Sequence, residues 1–303
     1  MSSVKPVHKA VIPVAGLGTR MLPATKAIPK ELLPIYDRPI IEYVVREAIN
    51  TGVREIIFVT RSGKEAIENH FDAHFELEHR LVQKDKNKIL EDIVRIIPDE
   101  VKVSSVRQAD ALGLGHAILC AKHLINDEPF AVLLPDVLVL DKQIRKTNFS
   151  FEILLKAWNE TGIGQVMVEK VDFDSIEKYG IVDLNKKSSI LFESCSLKGL
   201  IEKPDLKNAP SNLAILGRYI LPPNIFDFLE NINPGVGDEI QLTDALIGLL
   251  VEEGLNSVMT DADVYDCGNK MGYLSANLAV GMRDPKAREN ILALFNKLID
   301  NNF

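Results

Sequence analysis

Two kinds of hydrophobic pattern alternate along the first half of the chain. Short, nearly continuous apolar runs are typical of buried β-strands, and they cover residues 9–15, 55–60, 101–107 and 130–135. The segments between them repeat apolar residues at helical spacing, and they cover residues 40–50, 64–71 and 116–124. This alternation indicates a sheet with helices on both faces. We therefore predict an α/β fold, with a Rossmann-like, mostly parallel mixed sheet flanked by helices.

The pattern changes after residue 141, where the strand candidates are spaced less regularly. We predict helices at residues 151–159, 225–231 and 239–253, and strands at residues 164–171, 197–201, 214–221 and 257–266. The charged run at residues 84–88 is interpreted as a solvated turn. Residues 271–303 have an amphipathic helical pattern, and its apolar stripe serves either core packing or a subunit contact. Core packing is the simpler interpretation.

The most informative segment starts in the first predicted strand. Its apolar run ends in a turn that contains Gly16 and Gly18, and three cations follow, Arg20, Lys26 and Lys30. Glycines let main-chain N–H groups approach a ligand closely, and consecutive N–H groups form an anion-binding concavity. The pattern favours a loop that holds a polyphosphate. The alternative is an ordinary connection between a strand and a helix, with surface cations.

Two common phosphate-binding loops do not fit this spacing. A dinucleotide-binding fingerprint needs a third glycine where the chain has Met21, and a P-loop needs glycine and lysine where it has Met21 and Leu22. Pro23 and Pro29 also interrupt any helix that would follow directly. A Rossmann dehydrogenase is therefore disfavoured.

Candidate site residues stand directly after several predicted strands. Gly16 follows the first strand, Gln108 the third and Asp136 the fourth. Open α/β sheets bind ligands beyond the carboxyl ends of their strands, so we expect these residues to lie close together. Asp266 ends a later strand-like run in the same way. Mg²⁺ takes a few carboxylates plus water and phosphate oxygens, which makes Asp136 and Asp266 candidate metal ligands, although each could instead cap a turn.

Longer strings make the interpretation more specific. G-x-G-T-R at residues 16–20, followed by P-K-x-L-L-P at residues 29–34, resembles the signature of the sugar-1-phosphate nucleotidylyltransferases. The similarity extends along nearly the whole chain and weakens around residues 80–100, 140–160 and 185–195 and after residue 280. It implies a fold of the nucleotide-diphospho-sugar transferase type. The fuller string at residues 13–30 resembles the uridylyl-transferring branch of that family.

This resemblance implies an activity and a division of the chain. The activity is Mg²⁺-dependent transfer of UMP from UTP to α-D-glucose 1-phosphate, which gives UDP-glucose and pyrophosphate. Residues 1–140 would form the nucleotide-binding half, residues 141–270 the sugar-binding half of the same domain, and residues 271–303 a C-terminal helical segment. The resemblance also implies a homodimer or homotetramer.

The resemblance further implies roles for residues on the nucleotide side. The triphosphate-binding set, in which Arg20 and Lys30 act catalytically, comprises Ala15, Gly16, Gly18, Arg20, Lys26 and Lys30. Gln108 and Gly113 would contact the base, because a glutamine amide offers both the donor and the acceptor that uracil requires. Leu112 stands where the uridylyltransferases usually have lysine, so the contact made by that lysine is absent. His116 is interpreted as a packing or capping residue.

On the sugar side, the resemblance implies that Glu202 accepts hydrogen bonds from the sugar hydroxyls. Lys203 would act as a catalytic residue on the sugar phosphate, and Gly180 would contact the sugar. The family's matching aspartates bind the metal, which supports Asp136 and Asp266 as its ligands. Residues 238–245 are interpreted as a helix start that shapes the sugar pocket. Without the resemblance, the Glu-Lys pair at 202–203 would be interpreted as an exposed turn.

Composition narrows the class of partner. The chain has 303 residues and a formal net charge of −8, which argues against general nucleic-acid binding. An N-terminal apolar leader and an apolar run of membrane-spanning length are both missing from the sequence, so we expect no membrane partner. The three cysteines are widely scattered, which fits a reducing cytoplasm.

Two rival functions remain open at this point. A thymidylyltransferase that makes dTDP-glucose would share the first motif, although the strings at residues 24–29, 113–116 and 265–268 favour uridylyl transfer. A non-catalytic paralogue could bind sugar nucleotides and regulate a partner enzyme. The presence of both aspartates and of the phosphate-facing cations argues against this second rival.

Overall fold

The computed structural model describes residues 4–94, 96–142, 149–186, 190–235 and 238–300. The strands are β1 (Lys9–Pro13), β2 (Pro34–Ile35), β3 (Arg38–Pro39), β4 (Glu55–Thr60), β5 (Lys102–Arg107), β6 (Phe130–Leu133), β7 (Val137–Leu140), β8 (Gly164–Lys170), β9 (Gly180–Leu184), β10 (Ser194–Glu202), β11 (Leu213–Leu221), β12 (Leu255–Met259) and β13 (Asp263–Asp266). The α-helices are α1 (Ile40–Asn50), α2 (Glu65–Phe71), α3 (Phe75–Gln83), α4 (Asn87–Val94), α5 (Gly113–Cys120), α6 (Lys122–Ile125), α7 (Ser150–Thr161), α8 (Ile225–Asn231), α9 (Leu242–Glu252), α10 (Lys270–Gly281) and α11 (Pro285–Asp300).

A mixed sheet of nine strands forms the centre of the described structure. Its order is β5-β4-β1-β6-β11-β8-β12-β10-β9. The pairings among β5, β4, β1 and β6 are parallel, whereas β11 pairs antiparallel with both β6 and β8. Parallel pairing therefore dominates the part built from the first half of the chain. The predicted α/β class with a mixed, helix-flanked sheet is confirmed.

Both faces of the central strands are buried, which explains why their apolar runs are nearly continuous. In β1, Val11 packs into the core on one face and Ile12 into the core on the other. Helices α5, α8 and α9 cover the first face, and α1 and α7 cover the second. Successive strand residues point to opposite faces, so a strand covered on both sides shows a continuous apolar run rather than an alternating one.

A short two-stranded ribbon lies beside the main sheet and sets the geometry of the site. Strand β7 pairs antiparallel with β13, and Asp266 is in register with Val137. Asp136, which follows β6, therefore lies one position from the partner of Asp266. Long-range pairing of this kind brings together two aspartates that are far apart in the sequence.

Several elements differ from the sequence predictions. Residues 75–94 form the two helices α3 and α4, and only the exposed segment between them is the predicted charged turn. The predicted strand at 257–266 is divided into β12 and β13, because the Thr260 hydroxyl accepts a hydrogen bond from the Ala262 N–H (3.0 Å) and turns the chain. Strands β7 and β9 were not predicted.

The C-terminal helix also differs from its prediction. Helix α11 buries no residue fully, and Leu294 and Phe295 are 55% and 44% exposed. The interpretation of this apolar stripe as core is therefore wrong, since the main packing partner of α11 in the described structure is α10. Among the helices in the described part of the chain, none is long and apolar enough to cross a bilayer.

Lys9 is a buried cation at the amino end of β1, where the sequence pattern indicates an apolar strand. Its Nζ donates to the carbonyl oxygens of Leu124 (2.9 Å) and Ile125 (3.2 Å) and lies 3.4 Å from Glu128. Cations at a helix C-terminus satisfy its last carbonyl groups. Lys9 therefore ties the end of α6 to the central strand.

We expect Lys9→Met to lower the free energy of unfolding by about 2 kcal/mol, because it keeps the packing of the stem but removes charge-assisted hydrogen bonds. Chemical denaturation measures the change. The matched control is Lys102→Met, since Lys102 begins β5, which is separated from β1 by β4 in the sheet, and is exposed. Its effect should stay within about 0.5 kcal/mol. Equal effects of the two substitutions would contradict the role given to Lys9.

Candidate active site

Two adjoining cavities open where the parallel strands end. The first cavity has a volume of about 500 Å³ and lies beyond β1, β5 and β6. The second cavity, of about 250 Å³, lies at the start of β9, at the end of β10 and against the middle of β11. Both are lined by Arg20 and Asp136, together with Leu114 and Leu134. A ligand that spans the two cavities would therefore pass these two charged side chains.

The loop after β1 forms one wall of the first cavity. Gly18 has a φ of +67° and precedes a 3₁₀ turn at Thr19–Met21, a conformation that glycine adopts without strain. The Thr25 hydroxyl donates to the Gly18 carbonyl oxygen at 2.8 Å. Lys30 lies across the loop, since a Cβ atom added to Gly16 would meet Lys30 Nζ at 3.9 Å. A side chain at position 16 would therefore touch Lys30 at ordinary van der Waals distance.

Asp136 is the centre of a cluster of opposite charges. Its Oδ2 lies 2.5 Å from Lys30 Nζ and 3.8 Å from Arg20 Nη2, while Arg20 Nη1 lies 3.6 Å from Asp266 Oδ2. Lys30 and Asp136 are largely buried, with 16% and 15% of their side chains exposed, whereas Arg20 is 63% exposed. One cation is therefore held inside the site, and the other faces the cavities and solvent.

Burial and charge act in opposite directions on this cluster. Burial acts to raise the pKa of Asp136, but the charge and hydrogen bond of Lys30 and the charge of Arg20 hold the pKa below its ordinary value. Burial likewise acts to lower the pKa of Lys30, but Asp136 and Glu31 outweigh it and raise the pKa. Both groups are therefore ionised through the neutral range.

Gly268 leaves a space into which both candidate metal ligands point. A Cβ atom at this position would lie 2.8 Å from Asp136 Oδ2, 2.9 Å from Asp266 Oδ1 and 2.6 Å from Arg20 Nη2. The Gly268 N–H donates to Asp266 Oδ1 (2.8 Å), and the Asn269 amide donates to Asp266 Oδ2 (3.1 Å). The Asp266 carboxylate is therefore oriented by its own turn.

The donor atoms around Gly268 fit a hard divalent cation. Two carboxylates converge there, and Mg²⁺ is usually bound by one or two carboxylates plus substrate phosphates and water. Within the described ranges no group of three or more potential metal-binding side chains is found, so such an ion would take its other ligands from water or from a nucleotide. Burial, Asp136 and Asp266 together raise the pKa of Cys267 to about 12, so this neighbour stays a thiol.

Gln108 and Gly113 line the first cavity, as the sequence predicts. The Gln108 Nε2 donates to the Gly113 carbonyl oxygen at 3.1 Å and lies 3.0 Å from His116 Nδ1, so its carbonyl oxygen is the group left for a ligand. His116 holds the glutamine in place, which agrees with its interpretation as a packing residue.

We call residues 108–116, which include the predicted base contacts Gln108 and Gly113, the base loop. Two of its glycines, Gly113 and Gly115, lie against the protein's own main chain. A Cβ atom on Gly113 or Gly115 would approach the Ile240 backbone to 2.9 Å or 2.7 Å. The Gly115 N–H donates to the Ile240 carbonyl oxygen (2.9 Å), and the Ile240 N–H donates to the Leu112 carbonyl oxygen (2.8 Å). The glycines therefore let the base loop pack against the segment before α9. Approach to a ligand is not what restricts their size.

The second cavity holds the residues predicted for the sugar. Glu202 Oε2 accepts a hydrogen bond from the Thr243 hydroxyl at 2.6 Å, and Glu202 Oε1 lies 3.3 Å from Lys203 Nζ. A Cβ atom on Gly180 would lie 3.2 Å from Glu202 Oε2. Lys203, with 59% of its side chain exposed, reaches from the same strand end into the cavity.

The structure brings most of the predicted site residues to these cavities. The first cavity is lined by Ala15, Gly16, Gly18, Arg20, Lys30, Gln108, Gly113 and Asp136. The second is lined by Arg20, Asp136, Gly180, Glu202, Lys203 and Asp266. Lys26 is exposed and lines neither cavity.

Three residues at the site were missed by the sequence analysis. Thr243 was interpreted only as part of a helix start, and it reaches Glu202. Glu31 is fully buried and pairs with Lys64, with Oε2 2.7 Å from Nζ; its place next to Lys30 in the P-K-E-L-L-P string was the available signal. Glu169 lines the second cavity, and burial raises its pKa to about 7. A single acid at the end of an apolar strand carries no such signal.

The chain was compared with known proteins and structures. The family model described as nucleotidyl transferase matches residues 9–282. A UTP–glucose-1-phosphate uridylyltransferase of Haemophilus ducreyi is 45% identical over 290 residues, which cover 96% of this chain and 98% of the relative. A protein of the same name from Escherichia coli K12 is 48% identical over 277 residues, which cover 91% of each chain.

A solved structure agrees with these relatives. The UTP-bound UGPase from Acinetobacter baumannii superposes with a TM-score of 0.89 at 46% identity, over 96% of this chain and 99% of that chain. The family match covers most of the sequence and includes both cavities. This chain belongs to the nucleotidyl transferase family, and it is an enzyme of that class.

We expect Glu169→Gln to change how stability depends on pH. A free glutamic acid has a pKa of about 4.3, so between this pH and about 7 the folded protein keeps a proton that the unfolded chain has lost. The wild-type protein therefore loses stability as the pH rises towards and through 7. The variant, which stays neutral, should gain on the order of 2 kcal/mol relative to wild type between pH 5 and pH 8.

Chemical denaturation of both proteins at several pH values measures this gain, because contributions from the other titrating groups cancel in the difference. The matched control is Glu177→Gln at an exposed position, which removes one carboxylate without opening a buried site and should not reproduce this gain. A difference for Glu169→Gln that does not change with pH would refute the raised pKa of Glu169.

Proposed function

We propose that this chain catalyses Mg²⁺-dependent transfer of UMP from UTP to α-D-glucose 1-phosphate, which yields UDP-glucose and pyrophosphate. The proposal is carried by one observation: Arg20, Asp136 and Asp266 converge on the space at Gly268, and Arg20 and Asp136 line both cavities. It is supported by the UTP bound to the A. baumannii UGPase and by the names of the bacterial relatives.

The two cavities suit the two substrates. In the first cavity, the free carbonyl oxygen of Gln108 can accept a hydrogen bond from the uracil N3–H, and Lys30 and Arg20 face the position of the triphosphate. In the second cavity, Glu202 can accept hydrogen bonds from sugar hydroxyls, and Lys203 can pair with the sugar phosphate. The α-phosphate of UTP and the phosphate of the sugar would then meet beside Asp136.

In the proposed reaction, a phosphate oxygen of glucose 1-phosphate attacks the α-phosphorus of UTP. A new bond forms between these two atoms, the bond from the α-phosphorus to the bridging oxygen of the β-phosphate breaks, and pyrophosphate leaves with the electron pair. The attacking phosphate is already ionised near neutral pH, so no general base is required. The barrier then comes mainly from alignment and from the meeting of two anions.

The chain's own residues address both parts of this barrier. Arg20 and Lys30 place positive charge beside the phosphates, and Lys203 neutralises the incoming sugar phosphate. Preorganised charges of this kind stabilise a transition state because they need no rearrangement during the reaction. A Mg²⁺ ion held by Asp136 and Asp266 would supply further neutralisation of the phosphate oxygens.

We also propose a cytoplasmic location and a homo-oligomeric state for this enzyme. All three cysteines, Cys120, Cys195 and Cys267, are free, which is usual where disulfides are kept reduced. The exposed apolar side chains of α11 supply a surface that a second copy could cover. Size-exclusion chromatography with light scattering would measure the oligomeric state.

The direct test is pyrophosphate release from the purified protein, with UTP and dTTP each paired with glucose 1-phosphate and with a second sugar phosphate, with and without Mg²⁺. The proposal expects release with UTP and glucose 1-phosphate and its loss on removal of the metal. Faster release with dTTP would favour the thymidylyltransferase. Nucleotide binding without release under every condition would favour a non-catalytic protein.

Substitutions should separate binding of the sugar phosphate from catalysis. We expect Lys203→Ala to raise the KM for glucose 1-phosphate by about ten- to a hundredfold, since one charge-assisted contact contributes about 1.5–3 kcal/mol. Asp136→Asn keeps the shape of the side chain and should lower kcat by at least about a thousandfold at any substrate concentration.

The control for the lysine is Lys207→Ala, because Lys207 is an exposed residue four positions further along the chain and lines neither cavity. It should leave both constants unchanged. Undiminished turnover in Asp136→Asn would remove the metal assignment, and an unchanged KM in Lys203→Ala would remove the role given to that lysine.

A further inference from the structure

Arg218 is a fully buried cation in the middle of β11, a strand that is otherwise apolar. Its guanidinium forms a two-point ion pair with Glu47 of α1, with Nε donating to Oε1 at 2.9 Å and Nη2 to Oε2 at 2.7 Å. The remaining N–H groups donate to main-chain carbonyl oxygens, Nη1 to Leu134 at 3.1 Å and Nη2 to Val137 at 2.8 Å.

These two carbonyl groups lie on either side of Asp136. The main chain of this turn is held at two further atoms, because the Leu134 N–H donates to the Gly217 carbonyl oxygen (2.9 Å) and the Asp136 carbonyl oxygen accepts from the Cys267 N–H (2.8 Å). Arg218 therefore holds both ends of the short turn that carries the central carboxylate of the site. It does not line either cavity.

The other end of the ion pair leads back to Lys30. Glu47 belongs to α1, whose first N–H, at Ile40, donates to the Leu33 carbonyl oxygen at 3.2 Å, directly after the 3₁₀ turn that carries Lys30. The Glu47–Arg218 pair thus links the segment that carries Lys30, through α1, to the turn that carries Asp136. The ion pair between Lys30 and Asp136 links the same two segments directly.

The geometry requires an arginine. A planar guanidinium can donate to a carboxylate and to two carbonyl oxygens at once, whereas a lysine has three donors on one atom and cannot reach all of these acceptors. A buried ion pair by itself is a poor source of stability, and apolar residues of similar volume often replace one without loss. Stability alone therefore does not account for a charged pair in this position.

We propose that Glu47 and Arg218 are positioning residues that hold the Asp136 carboxylate in place for the metal and for the α-phosphate. This inference rests on the proposed function. It states that the pair acts through the turn at residues 134–137 and touches neither substrate, so its loss should weaken the response to Mg²⁺ and slow the chemical step while leaving recognition of the sugar phosphate intact.

The test compares wild type with Glu47→Gln, with Arg218→Lys, and with a double variant that combines Glu47→Leu and Arg218→Met. The double variant replaces the ion pair by apolar groups and guards against unfolding caused by an unpaired buried charge. Each protein is measured by thermal melting, by kinetics over a range of Mg²⁺ concentrations, and by calorimetry of UTP binding with and without Mg²⁺.

We expect the Mg²⁺ concentration for half-maximal activity to rise at least tenfold in the variants and kcat to fall about ten- to a hundredfold, with the KM for glucose 1-phosphate within twofold of wild type. The gain in UTP affinity on addition of Mg²⁺ should shrink in the same variants. For the double variant, we expect this loss even if its melting temperature equals that of wild type. This calorimetric readout does not depend on turnover.

The matched control is Arg46→Met on the same helix, because Arg46 pairs with Glu42 at 2.8 Å and does not reach the turn of Asp136. It should leave the Mg²⁺ response unchanged. If wild type is active and the folded Glu47 and Arg218 variants respond to Mg²⁺ as wild type does, the inference is overturned and the proposed function stands. A wild type that releases no pyrophosphate would overturn both.

Discussion

The ion pair between Lys30 and Asp136 is the interaction on which the rest of the site depends. A carboxylate that is largely buried at the end of a central strand is tolerated only with a compensating charge, and Lys30 supplies it at 2.5 Å. To do so, the chain after β1 must fold back across Gly16 and Gly18, which leaves the loop open towards the first cavity. The same carboxylate then faces Asp266 across the space at Gly268. The need of Asp136 for a neighbouring cation thus fixes the positions of the loop after β1, the end of β6 and the candidate metal site relative to one another.

Part of this arrangement could be predicted from the sequence, because it depends on where apolar runs stop. The runs that end before Gly16, Gln108 and Asp136 are typical of buried strands, and parallel strands place their carboxyl ends at one edge of the sheet. The fold class and the gathering of these three residues follow from that rule. The strings around Arg20 and Lys30 add the chemistry, and the comparisons agree with them.

The remainder depends on partners that are distant in the sequence. Arg218 lies in an apolar run and pairs with Glu47, 171 residues away, and no periodic pattern marks such a choice. Gly113 and Gly115 look like ligand-facing glycines until the Ile240 backbone is placed against them. Helices α3 and α4 were missed because they bury no side chain fully, so their pattern resembles that of a charged loop. Burial of Glu169 likewise depends on the cavity around it.

The hydrogen bonds between Ile240 and the base loop have a consequence for specificity. The segment that leads into α9 packs against Leu112 and Gly115 through Ile240, and the first turn of α9 presents Thr243 to Glu202. This stretch supplies Glu239 to the first cavity and Thr243 to the second, so it forms a wall that the two cavities share. A substitution that displaces this wall alters the shape of both cavities at once. Under the proposed function, the preference for the nucleobase and the preference for the carbohydrate are therefore coupled through one stretch of main chain.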